Sequence, residues 1–324
     1  MRILALQLKR IGDLVLTTPA LRALRTAWPD ANITLGVMDG TAALLAAIPF
    51  AQSGIVFGRG RGWTPWQQVL AGGWDMCCDF TGNDRSALAT ALSRAKKRVG
   101  FEWVRRNRLR ALAYNAWSPS KVREVHTARH YLDLVAAVAS GVADDLSPEL
   151  VLPVAAAELP PYALLHPGTA RPEKYWLPER WSEAATHLRT AHGLKIIFTC
   201  GPDEFERAHV AAILNILGTG NAEVRYPKEL ISLATLVAGA RVVISCDTSV
   251  VHLAAAFQVP QIALFGPTNP FHWRPMHDRA VVLSAAQPEA PLTHFESRMK
   301  EAPMEQISTG AVIRATDCLL ALPR

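Results

Sequence analysis

The sequence predicts an α/β protein of two domains, each a parallel sheet covered by helices. Three observations carry that expectation. Short apolar runs alternate with segments of helical period, as in successive strand–helix–strand units. The alternation breaks once, in GVADDLSPELVLPVAAAELPP (141–161), and then restarts. A chain of 324 residues is long enough to bury two separate cores.

In the first half, ILALQL (3–8), ITLGVM (33–38), GIVF (54–57) and WDMCCDF (74–80) read as buried strands. Helical patterns cover 14–28, 41–47 and 84–95 between and after them. In the second half, YALLH (162–166), LKIIFTC (194–200), ARVVISC (240–246) and QIALFG (261–266) read as strands. The helices predicted there are 178–191, 203–217, 228–238 and 248–257, with a last one at 308–320 that can pack back across the linker onto the first domain. Domains of 1–150 and 151–324 follow, as two Rossmann-like halves with the site expected in a cleft between them.

Composition narrows the class. Half of the residues are hydrophobic and 19% are charged, as in ordinary folded proteins. No apolar run reaches the roughly 18 residues of a membrane span. Lys9 and Arg10 interrupt the first apolar run too early for a signal-peptide core, so a cytoplasmic location is expected. The five cysteines, Cys77, Cys78, Cys200, Cys246 and Cys318, form no C-x-x-C pair and read as buried free thiols. No metal-ligand spacing stands out. A net charge of +6 suits an anionic partner: a phosphorylated substrate, a membrane surface or nucleic acid.

The polar residues that carry chemistry cluster where predicted strands meet predicted helices. Gly12 permits a sharp exit from the first strand, and Asp13 then stands at a helix mouth, either as an N-cap or as a general base facing substrate. Pro19 either begins a helix at Thr18 or interrupts one that started earlier. In HPGTARPEKYW (166–176), Gly168 and Thr169 offer donors to phosphate and Lys174 a full charge, unless the segment is a plain solvated loop. In CGPDEFERA (200–208), Asp203 caps a helix, and Glu204 either accepts from a ribose diol or complements the helix dipole.

SCDTSVVHLAAA (245–256) has the form of an anion site. Asp247 or Thr248 caps the helix, and the amide of Ser249 points outward. His252 shares a face with Thr248 and Ser249, either as a ligand donor or as a hydrogen-bonded core histidine. FGPTNP (265–270), with Pro267 and Thr268, closes the same site. The run SRAKKRVGFEWVRRNRLR (93–110) holds eight basic residues and one acid, with Phe101 and Trp103 interleaved. Its bland reading is a solvated face. Its functional reading is a surface for phosphorylated lipid head groups, extended by Arg59 and Arg61, with nucleic acid less favoured. Neither G-x-G-x-x-G before a helix, nor a P-loop, nor a G-x-S-x-G elbow is present.

Taken together, GDLVLTTPALRAL, HPGTARPEKYWLPERW and VVISCDTSVVHLAAAFQVPQIALFGPTNP resemble glycosyltransferase family 9, the ADP-heptose:lipopolysaccharide heptosyltransferases. The resemblance runs over most of the chain. It implies a GT-B fold, two Rossmann-like domains with parallel sheets facing across a cleft, the first binding acceptor and the second nucleotide sugar. It implies that Asp13 is the base that deprotonates an acceptor hydroxyl and that Lys174 stabilises the departing ADP. Glu204 then holds the ribose and Asp247 the heptose. Gly168, Thr169, Gly201, Leu230, Thr248, Ser249, His252, Pro267 and Thr268 complete the donor site. Gly12, Arg59, Arg61, Lys96, Lys97, Arg98 and Arg105 join Asp13 on the acceptor side, facing the anionic inner core and lipid A. The implied transfer is inverting, with no cofactor and no metal, and it implies peripheral contact with the inner membrane surface. One departure is Ser249, where the family usually carries Gly; a Ser amide serves there provided its φ is negative. Two other readings stand beside this one: the same fold with a different nucleotide sugar, and a non-catalytic nucleotide- or glycan-binding protein. A dinucleotide oxidoreductase is disfavoured by the missing glycine fingerprint.

Overall fold

The computed structural model describes residues 1–153 and 159–322. The chain divides into two compact units, Met1–Pro153 and Val154–Arg324. Part of the expected linker, 154–158, lies outside the described residues.

The first unit runs β1 (Arg2–Gln7), α1 (Ile11–Ala27), β2 (Asn32–Met38), β3 (Ser53–Phe57), α2 (Thr64–Ala71), β4 (Met76–Asp79) and α3 (Asp84–Leu92). It continues with β5 (Lys97–Phe101), α4 (Arg108–Ala111), β6 (Ala116–Ser118) and α5 (Thr127–Ala136). Its six strands are parallel in the order β3-β2-β1-β4-β5-β6. Leu4, Leu6, Ile55, Phe57, Val69 and Cys77 form one apolar cluster of its core. At about 1.5–3 kcal/mol for each large side chain taken from water, such burial is what opposes chain entropy.

The second unit repeats the plan. It runs β7 (Tyr162–His166), α6 (Pro178–His192), β8 (Lys195–Thr199), α7 (Glu204–Leu217), β9 (Glu223–Arg225) and α8 (Leu230–Ala238). It ends with β10 (Val242–Cys246), α9 (Ser249–Ala256), β11 (Gln261–Phe265), α10 (Pro270–Trp273), β12 (Ala280–Ser284) and α11 (Thr309–Ala321). The parallel order is β12-β11-β10-β7-β8-β9. In each unit the winding reverses once, between β1 and β4 and between β7 and β10. Open α/β sheets bind ligands at such switch points, outside the carboxyl ends of the strands.

Helix α1 passes through Pro19 without ending. Proline has no N–H for the carbonyl of Val15, four residues back, and the Thr18 hydroxyl donates to that carbonyl instead at 2.8 Å. The segment predicted as a helix at 41–47 is a 3₁₀ turn, Asp39–Ala47.

Two expectations are corrected, and the packing of the last helix is defined. The basic run 93–110 is not one exposed face: it contains β5, whose Val99 and Phe101 are buried. The last helix packs on the core of its own unit. Val312, Ala315 and Leu319 of α11 join Trp176, Trp181, Leu188 and Phe198 in the core of the second unit, and Trp176 Nε1 donates to the Ile307 carbonyl at 2.9 Å. Four cysteines are buried, but Cys318 is exposed, because it lies on the outer face of α11.

Candidate active site

In the first unit, α1 opens directly after β1 at the switch point. Its N-cap is Arg10, whose side chain makes no capping bond, and Asp13 is the third helical residue. Asp13 is therefore not a cap. Gly12 is helical too, so the exit from β1 is made by residues 8–10 and not by a glycine turn. The Asp13 carboxylate is instead gripped across the fold. Tyr131, on α5 and 1% exposed, donates its hydroxyl to Asp13 Oδ1 at 2.5 Å. Lys9 Nζ stands 3.9 Å from the same oxygen and donates to the Tyr131 hydroxyl at 3.5 Å. Burial and the neighbouring Asp13 charge push the Tyr131 phenol well above its ordinary range, so it stays a donor. Among the described residues, Oδ2 of Asp13 has no hydrogen-bond partner.

The neighbouring strand end is equally built. Asp79, fully buried at the end of β4, accepts from the amides of Thr81 and Gly82 at 2.8 and 3.0 Å and from the Tyr114 hydroxyl at 2.5 Å. Gly82 sits at φ +72, a left-handed conformation that glycine adopts without strain. Thr81 in turn accepts from the Leu8 amide at 2.7 Å, which fixes the loop leading to α1.

The predicted acceptor residues separate into two groups. Arg59 and Arg61 follow the carboxyl end of β3, and Arg105 follows that of β5, so these share the sheet edge of Asp13. Arg61 is paired with Asp39 at 2.9 Å, and Arg105 lies over the Trp117 ring at 5.3 Å. Lys96, Lys97 and Arg98 do not join them. Lys97 pairs with Met76 and Met76 with Ile3, which puts the start of β5 at the opposite, amino edge of the sheet. Arg98 is committed to structure, donating to the carbonyls of Ala113 and Ala95 at 2.7 and 2.8 Å.

In the second unit the switch point between β7 and β10 carries an ion pair. Lys174, at the end of the 3₁₀ turn Pro172–Lys174, places Nζ 2.6 Å from Asp247 Oδ2 and 3.3 Å from the Asp247 carbonyl. The side chains are 11% and 10% exposed. Asp247 is free for this role because Thr248 caps α9, accepting from the Val250 amide at 3.3 Å. Ser249 opens the helix, and its φ is not positive, so Ser at the position of the usual Gly introduces no backbone strain. His252 lies one turn further on and is 4% exposed. Pro267 and Thr268 follow β11, and the Thr268 hydroxyl is buried without a hydrogen-bond partner among the described residues.

Gly168 and Gly201 are brought together by a residue the sequence reading passed over. Glu206, 8% exposed on α7, accepts from the Gly201 amide at 2.5 Å. A Cβ on Gly168 would stand 2.4 Å from Glu206 Oε2, so the glycine leaves room for that carboxylate. Burial raises the Glu206 carboxyl above its usual range, and the Gly201 amide partly offsets this. Glu204, at the start of α7, is exposed, with Asp203 as the cap beside it. Thr169 is buried and accepts from the Arg171 amide at 3.3 Å. Leu230 is the first residue of α8. Tyr175, next to Lys174, stacks on His209 at 4.4 Å. The signal for Glu206 was its second place after Glu204 in one helical turn. Tyr131 gave none, being 118 residues from Asp13.

The arrangement offers a carboxylate held by a tyrosine in one unit. In the other it offers a cation beside a helix amino terminus and small residues around buried acceptors. Comparison with known proteins gives the family. The family model of glycosyltransferase family 9 (heptosyltransferase) matches residues 63–302. Lipopolysaccharide heptosyltransferase 1 of Escherichia coli K12 is 28% identical over 294 residues, 83% of this chain and 89% of that protein. Lipopolysaccharide heptosyltransferase 3 of the same strain is 24% identical over 341 residues, 95% of each chain. Among solved structures, an E. coli heptosyltransferase with ADP matches with a TM-score of 0.82 at 23% identity, over 98% of this chain and 100% of that one. A family 9 glycosyltransferase from Veillonella parvula matches with a TM-score of 0.80 at 23% identity, over 98% and 97%. The chain belongs to glycosyltransferase family 9, the heptosyltransferase family, and is a glycosyltransferase of the GT-B fold class.

Proposed function

We propose that this glycosyltransferase moves L-glycero-D-manno-heptose from ADP-heptose to a sugar hydroxyl of the lipopolysaccharide inner core. The observation that carries the reading is the Lys174–Asp247 pair at the switch point of the second sheet, beside the amino terminus of α9. That position suits a diphosphate. Lys174 and the α9 amides neutralise charge as it builds on the leaving ADP, a role that lets the reaction proceed without a metal. Asp247 is then the group that both sets Lys174 and faces the heptose. Glu204 takes the ribose, and the Thr268 hydroxyl, buried without a partner among the described residues, is available to the nucleotide, while the Glu206 carboxylate fills the space beside Gly168 and Gly201.

Asp13 is the base. Its free Oδ2 takes the proton from the acceptor hydroxyl. The oxygen so released forms a bond to the anomeric carbon, and the bond from that carbon to the ADP oxygen breaks on the opposite face, so configuration inverts. Tyr131 and Lys9 orient the carboxylate. No helix of the described residues is long and apolar enough to cross a membrane. We read the segment after β5 as the contact with the lipid-anchored acceptor. Leu109 and Leu112 are 81% and 79% exposed there, among Arg105, Arg106 and Arg108.

A donor panel tests the reading. Acceptor-dependent release of ADP from ADP-heptose, with little release from hexose-bearing UDP or GDP donors, is the expected result. Preference for another nucleotide sugar would move the enzyme to a different donor within the same fold.

A further inference from the structure

Far from the Lys174–Asp247 pair, two histidines and an aspartate converge on the second unit. His187 and His192 both belong to α6, and Asp317 belongs to α11. His187 Nε2 stands 2.7 Å and His192 Nε2 2.6 Å from the same Asp317 Oδ1. The imidazole centroids are 5.5 Å apart with the rings nearly perpendicular, at 73°. One donor atom from each residue lies within 4.8 Å of the others. Two imidazole nitrogens and one carboxylate oxygen form a ligand set for a borderline divalent ion. Magnesium and calcium favour all-oxygen shells and fit it poorly.

The scaffold under the three residues is a buried apolar core. The face of α6 that carries Ala184, Ala185 and Leu188 and the face of α11 that carries Ala311, Val312 and Ala315 belong to one buried core. Gly193, at φ +64, ends α6 directly after His192. The three side chains are between 24% and 46% exposed, which leaves a route for an ion and room for water as a fourth ligand. Ligands of a tetrahedral zinc ion stand about 3.3 Å apart, given bonds of about 2.0–2.1 Å. From the 2.7 and 2.6 Å contacts, the cluster therefore has to open by about 0.6–0.7 Å on each N···O edge to take the ion. The hydrogen-bonded arrangement is the form in which protons occupy the place of the ion.

We propose that His187, His192 and Asp317 form a structural binding site for Zn²⁺ or a chemically similar first-row divalent ion, which pins α11 to α6. The site lies at the end of α6 that leads into the start of β8, the amino edge of the sheet, away from the loops that follow β7 and β10. Its role is to hold the last helix on the core, and it takes no part in sugar transfer.

The test uses the untagged full chain, stripped with chelator and titrated with Co²⁺ and Zn²⁺. Expected are one ion bound per chain, visible d–d bands with Co²⁺ and a rise in Tm of several degrees with micromolar Zn²⁺. His187→Gln, His192→Gln and Asp317→Asn, chosen to keep size and polarity, should each weaken binding at least tenfold and abolish the Tm rise. Cys318→Ser, on the neighbouring exposed thiol, should leave both intact. Binding that is absent at tenfold excess of ion, that persists in all three variants, or that is lost in Cys318→Ser would overturn the proposal.

Discussion

Tyr131 and Asp13 are 118 residues apart in the chain and 2.5 Å apart in the fold, phenol to carboxylate, with the phenol fully buried. The bond occupies one oxygen of Asp13 and leaves the other for the acceptor hydroxyl in the proposed reaction. A hydrogen bond to a charged group is worth about 1.5–3 kcal/mol. Tyr131→Phe should therefore lower kcat by about tenfold while leaving ADP affinity unchanged, since ADP is assigned to the other unit. Steady-state kinetics with calorimetry of ADP binding checks this. An unchanged kcat would remove Tyr131 from the positioning of the base.

In the proposed mechanism the Lys174–Asp247 pair serves both catalysis and folding. Removing one member of a nearly buried pair strands the other charge, at a cost of about 3–5 kcal/mol. Lys174→Met should thus lower both stability and turnover, the latter by about 10²–10³-fold if it is a leaving-group contact. The double variant Lys174→Met, Asp247→Leu should regain most of the stability and none of the turnover. Thermal melts beside ADP-release rates separate the two effects, and recovered turnover in the double variant would deny Lys174 its catalytic part.

Stability should fall on mild acidification. Burial lowers the His166 pKa from 6.5 to about 4, so the folded state keeps that imidazole neutral while the unfolded chain binds a proton. A folded pKa below the unfolded one means the contribution is complete above pH 6.5 and is lost as pH falls towards 4. Each pH unit between those values is worth about 1.4 kcal/mol, so the loss is of the order of 3 kcal/mol. His130, lowered to about 3 mainly by burial, adds a loss of the same sign in the first unit. Denaturant midpoints measured from pH 8 to 4.5 check it, and a flat profile over pH 6.5–4.5 would contradict it.

Leu109 and Leu112 should matter only at a lipid surface. The wild-type protein is expected to co-sediment with anionic vesicles more than with neutral ones, and less as salt rises. Leu109→Ser with Leu112→Ser should reduce vesicle binding severalfold without changing Tm. Equal binding by the variant would place the membrane contact elsewhere.

Much of this was legible in the sequence because period and position coincide. β1, β7 and β10 are mainly apolar and buried, and the polar residues picked out as candidates, Asp13, Lys174 and Asp247, all follow their carboxyl ends. β5 was hidden because it begins with Lys97 and Arg98 and has only Val99 and Phe101 to mark its buried side. β9 is three half-buried residues and β12 starts half-buried, so neither shows a strong pattern. The separation of Lys96 and Lys97 from Arg59 and Arg105 depends on strand register, which a charge run does not encode. Likewise, the caps chosen at α1 and α9, Arg10 and Thr248, decide whether Asp13 and Asp247 are structural or available.

The most direct test is ADP release from ADP-heptose with a panel of truncated lipopolysaccharide acceptors, wild type beside Asp13→Ala. Release should depend on one acceptor and fall by about 10²–10⁴-fold in the variant, with ADP binding retained. Release that proceeds equally in Asp13→Ala, or that no acceptor elicits although ADP binds, would contradict the assignment of Asp13 as the base and of the inner core as the acceptor.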